Sequence, residues 1–88
     1  MTKKNKMDYY DIPMTSTHKS QMLAILNASQ SQYASGLHSI VESATNHMVM
    51  SIDDINHFIT IINASTAQNK QELVNVVDPN GPTPPIKL

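Results

Sequence analysis

The sequence predicts an all-α fold: a two-helix hairpin, or a kinked long helix, with an extended N-terminal arm and a Pro-rich C-terminal tail. Three observations predict it. Apolar residues recur at three- and four-residue steps from Met22 to Met48 and again from Ile55 to Val77, as on one face of a helix. Capping residues precede each stretch, Thr15-Ser16-Thr17 before the first and Ser51 before the second. Asp78-Pro79-Asn80-Gly81-Pro82 then stops the second stretch sharply.

Residues 1–14 read as an arm. Met7-Asp8-Tyr9-Tyr10-Asp11-Ile12-Pro13-Met14 has no helical period, and two adjacent Tyr are costly to leave bare, which suits a docking peptide. The hairpin is expected over residues 15–77, with helices at about 17–49 and 52–77. Met22, Leu26, Tyr33, Leu37, Ile40, Val41, Ala44 and Met48 mark the buried face of the first helix. Gln30 interrupts that face, and Ser35-Gly36 is a weak point costing about 1 kcal/mol relative to Ala. In the second helix Asp53 and Asp54 occupy the first turn, where the macrodipole favours anions. Ile55, Phe58, Ile59, Ile62, Leu73, Val76 and Val77 mark its buried face. The β-branched run Ile59-Thr60-Ile61-Ile62 would also suit a strand, but the period around it favours helix. The joint at Met50 and Ser51 holds neither Gly nor Pro, so an antiparallel hairpin and a continuous rod both fit. Residues 78–88 are expected to be extended.

Composition limits function more than fold. Between Ser20 and Asn69, fifty residues carry three charges, Glu42, Asp53 and Asp54. Ordinary soluble surfaces hold roughly 25–35% charged residues. Such a surface can bond to neighbours and lacks the charge that keeps them apart, so it suits burial against other protein. Arg is absent and the six Lys form no basic face, which excludes nucleic-acid binding. No apolar run is long enough for a signal peptide core or a membrane span, so a cytoplasmic location is expected. Cys is absent, so disulfides cannot support a small core, and oligomerisation is the remaining support.

The sequence assigns no catalytic residue, metal ligand or cofactor. His38, His47 and His57 lie at spacings that match no zinc pattern. No Ser stands in a nucleophile elbow. Asp53 and Asp54 precede His57 by four and three positions, close enough on a helix to form a pH switch within an uncharged contact. Locally bonded His with no special role is the plainer reading.

The stretch Gly36-Leu37-His38-Ser39-Ile40-Val41-Glu42-Ser43-Ala44-Thr45 and the later Asn63-Ala64-Ser65-Thr66-Ala67-Gln68 resemble the refractile-body (R-body, "killing trait") structural proteins across about residues 20–77. His38 stands where that family carries an aromatic, and its Gln-rich run is missing. The resemblance implies a cytoplasmic ribbon of small helical subunits that unrolls on acidification.

The expected function is therefore a structural subunit assembling into a homopolymer, alone or with a related second subunit. Tyr9, Tyr10 and Ile86 would clasp neighbours, while Leu37, Ile40, Val41, Ala44 and Met48 would face Ile55, Phe58, Ile59 and Ile62. The alternative is a small phage- or bacterium-encoded adaptor or inhibitor that covers one protein partner.

Overall fold

The computed structural model describes residues 8–88, and the first seven residues of the expected arm lie outside them. The fold is mixed rather than all-α. Its elements in order are β1 (Tyr9–Pro13), α1 (Ser16–Ala28), α2 (Ala34–Ser43), β2 (His47–Ser51), α3 (Ile52–Ala64), α4 (Lys70–Val77) and β3 (Ile86–Lys87). The strands form one antiparallel sheet in the order β2-β1-β3, with Tyr10 opposite Met50 and Asp11 opposite both Val49 and Ile86. What remains of the arm is thus the central strand, and the end of the tail is an edge strand.

The expected helix over 17–49 is three elements, and serine explains the first break. Ser29 adopts extended backbone at the end of α1. Its hydroxyl accepts the N–H of Ser31, and the Ser31 hydroxyl accepts the N–H of Tyr33, both at 3.1 Å. These bonds replace helical ones, the known way in which Ser competes with a helix. The expected helix over 52–77 breaks in the same manner. Ser65 Oγ donates to the Ile62 carbonyl at 2.6 Å and accepts the N–H of Ala67 at 3.3 Å before α4 begins. Serines read as association surface therefore close turns within the chain.

The second departure is one of period. Met48 and Met50 are buried while His47 and Val49 are exposed, an alternation of two. The three-to-four-residue reading joined Ala44 to Met48 and passed over it. In β1, Ile12 is fully buried, Tyr10 is half-buried beside it, and Tyr9 faces outward. Pro13 ends that strand with its missing N–H on the side where β3 has already given way to Pro84.

The inward sheet face packs on α2, α3 and α4, and α1 packs on α2 and α3. Eighteen buried apolar side chains form one continuous cluster running through every element except β3. Met22, Leu37, Val41, Ile55, Phe58, Ile62, Leu73 and Val77 lie at its centre. Each large side chain buried there contributes about 1.5–3 kcal/mol. Thr15 caps α1, its hydroxyl accepting the His18 N–H at 3.0 Å, and Ser51 caps α3, its hydroxyl accepting the Asp54 N–H at 3.1 Å. Among the described residues, no helix is long and apolar enough to cross a membrane.

Candidate interaction surface

Strand geometry assigns the outward sheet face. Residues opposite one another in an antiparallel pair point to the same side. Val49, Asp11 and Ile86 therefore form a row across all three strands, with Tyr9 and Leu88 beside it at one end and His47 at the other. Tyr9, Val49, Ile86 and Leu88 are 48%, 47%, 63% and 68% exposed. Among the described residues the only other large apolar side chain comparably bare is Tyr33, which lies at the start of α2 and on none of the strands. Single exposed apolar residues are ordinary, but a contiguous set is not. One polar pair interrupts the face, His47 Nδ1 and Asp11 Oδ1 at 2.8 Å.

The two sheet edges differ. The β3 edge is two residues long, follows Pro82, Pro84 and Pro85, and carries Lys87, whose ammonium lies 3.7 Å from Asp8. Short length, Pro and Lys all discourage edge pairing. The β2 edge has none of these. From Ser43 to Ile52 no residue is Asp, Glu, Lys or Pro. The parity of its bonds follows from the ladder ends. Met14 N–H donates to the Asn46 carbonyl at 3.0 Å, and Ile52 N–H donates to the Asp8 carbonyl at 2.8 Å. Asn46, Met48, Met50 and Ile52 thus turn their backbone groups to β1, and His47 and Val49 turn theirs away. Among the described residues, nothing bonds to the outward N–H and C=O of His47 and Val49.

A second feature is a cleft of about 500 Å³ between α1 and α3. Ala24, Ala28, Ile61 and Ala64 form its walls, and at one end Asn69 Nδ2 donates to Gln21 Oε1 at 2.7 Å. An adjoining recess of about 350 Å³ holds Tyr33 stacked on His57, ring centroids 3.5 Å apart. No Asp, Glu or Lys lines either.

The residues expected to mediate assembly separate into two groups. Leu37, Val41, Ala44, Met48, Ile55, Phe58 and Ile62 are buried, with Ile40, Ile59 and Tyr10 packed against them. They meet one another inside a single chain. Tyr9 and Ile86 alone are exposed, and the sheet brings them to one face although 77 positions separate them. The proposed switch residues do not converge. His57 lies on Tyr33, and Asp53 and Asp54 make no ion pair with it. The carboxylate-paired imidazoles are His18 with Glu72, His38 with Glu42 and His47 with Asp11. Among the described residues no three His, Asp or Glu side chains gather as a metal site. Val49, Leu88, His47 and Asp11 were missed as surface residues. The signal that could have found them is the two-residue alternation of Tyr10 with Ile12 and of Met48 with Met50. No family model, curated protein or solved structure matches the chain.

Proposed function

We propose that this chain is a structural subunit that assembles with copies of itself through the outward face of its sheet. The observation that carries this reading is the gathering of Tyr9, Val49, Ile86 and Leu88 on that face. Covering each of these side chains contributes a share of the usual 1.5–3 kcal/mol, roughly half because each starts half-covered. Among Tyr9, Asp11, His47, Val49, Ile86 and Leu88 the only acidic side chain is Asp11, and it is bonded to His47 rather than left to oppose stacking. The reading does not depend on the resemblance to refractile-body proteins.

Sedimentation tests it. The wild-type chain should form species well above its 9.7 kDa mass. Ile86→Asp and Tyr9→Asp, which add a carboxylate to the face beside Asp11, should abolish the face contact and leave nothing larger than a dimer. A wild type that stays at monomer mass at millimolar concentration would falsify the reading. It would instead favour a small adaptor that covers one protein partner, a reading supported by a core completed within one chain.

A further inference from the structure

We propose that the exposed edge of β2 pairs with the β2 edge of a second copy, antiparallel and centred on Val49, to make one six-stranded sheet. This rests on the self-assembly reading and adds to it the edge, the register and the symmetry.

Backbone parity limits the register. A strand that pairs with its own copy about a two-fold axis must place one residue opposite itself. That residue must turn its N–H and C=O toward the edge if the central pair is to exchange both bonds. In β2 the outward-turned residues are the odd-numbered ones, and Val49 is the middle of the five. Pairing Val49 with its symmetry mate sets His47 opposite Ser51 of the second copy, whose backbone is extended at φ −72 and ψ 161. The outward N–H and C=O of Val49 then meet their counterparts at the correct spacing, while Ser51, the buried cap of α3, ends the pairing.

Chemistry of the edge points the same way. His47-Met48-Val49-Met50-Ser51 contains no Lys, no Pro and no acidic residue. These are the residues by which sheet edges usually refuse partners. The β3 edge of the same sheet has Lys87 and a Pro-rich approach, so the guarding is one-sided. Continuity is the third argument. In the paired sheet the two Val49 side chains meet on the outward face and link the two rows of Val49, Asp11 and Ile86. A second copy suits this edge better than a charged partner does, because Ser43 to Ile52 offers no charge to complement.

The pairing also bears on how far assembly extends. A face-to-face contact alone closes a dimer, and so does an edge-to-edge contact alone. Two different two-fold contacts on one subunit alternate into an open ribbon.

Cysteine cross-linking reads the register without ambiguity, since the chain has no Cys of its own. In the proposed pair the two Val49 Cα atoms lie about 5.5 Å apart, inside the reach of a disulfide. In a face-to-face stack they lie about 10 Å apart, outside it. The two Ile86 sites of the paired sheet are five strand spacings apart, about 24 Å. Val49→Cys should therefore oxidise to a covalent dimer under mild conditions, and Ile86→Cys should not. Both sites are exposed, so neither substitution disturbs the core. Val49→Lys, which sets like charges opposite one another, should at the same time remove the dimer. If the wild type assembles but Val49→Cys fails to cross-link, or Ile86→Cys cross-links as readily, the edge pairing is overturned and the assembly reading stands. If the wild type remains monomeric at high concentration, both are overturned, and the edge is left for a strand of another protein.

Discussion

Glu72 makes a pH-sensitive contact between distant parts of this fold. His18 Nε2 lies 2.7 Å from its carboxylate oxygen. That hydrogen bond, helped by one from Asn69, holds the Glu72 carboxyl below its ordinary 4.5. The pair ties α1 to α4 across 54 positions of chain. A carboxyl depressed in the folded state adds stability that is complete above its ordinary value and is lost as pH falls through the folded one. Unfolding by urea should therefore become easier as pH falls below the ordinary carboxyl value of 4.5. Glu72→Gln should flatten that part of the profile, while a profile of unchanged slope would show that Glu72 contributes nothing to it. Little of this pairing was legible in the sequence. A sequence window reports neighbours at three and four positions, and so it offered Asp53, Asp54 and His57. The actual partners of His18 and His47 sit on distant elements, and only the sheet and the helix packing bring them near.

At the scale of elements, caps were legible and breaks were not. Ser51 sits where a helix was expected to begin, and its hydroxyl accepts the Asp54 N–H. Replacing it with Ala should cost about 1 kcal/mol and replacing it with Gly only a few tenths, read as shifts in the urea midpoint. Equal losses for the two would mean that the buried hydroxyl matters for packing rather than capping. Gly36 offers the opposite sign. It lies in the first turn of α2, and a Cβ there would meet nothing within 4 Å. Gly36→Ala should stabilise by about 0.5–1 kcal/mol through helix propensity, visible in the same titration. The breaks at Ser29 and Ser65 depend on side chains turning back on their own backbone, and a Ser in a helical period carries no mark of whether it will do so. The strands were hidden for a different reason. Val49 and Tyr9 are apolar on the outward face, so alternation of polar with apolar residues was blurred where it was needed.

For the molecule as a whole, the decisive matter is where the core is completed. Low charge and small size suggested a helix pair that depends on its neighbours to cover its apolar stripe. The sheet changes that balance, because β1 and β2 cover what two helices alone would leave open, with Ile12, Met48 and Met50 buried. The apolar positions picked from the sequence were sound as a core list except Tyr33, which is exposed and stacks on His57, and the contact assigned to them was intramolecular. What remains for association is the outward sheet face and the β2 edge. Assembly then adds to a fold that already exists, and the two can be separated by mass action. Wild-type chain that associates only when folded should show a thermal midpoint that rises with protein concentration. Val49→Lys, which sets a charge both at the edge and in the outward face and leaves every buried residue in place, should show a midpoint independent of concentration. Its helical circular dichroism should persist on dilution. A Val49→Lys chain that loses its helical signal when dilute would mean that the core is held together by neighbours after all, and that the sheet does less to close it than its burial pattern indicates.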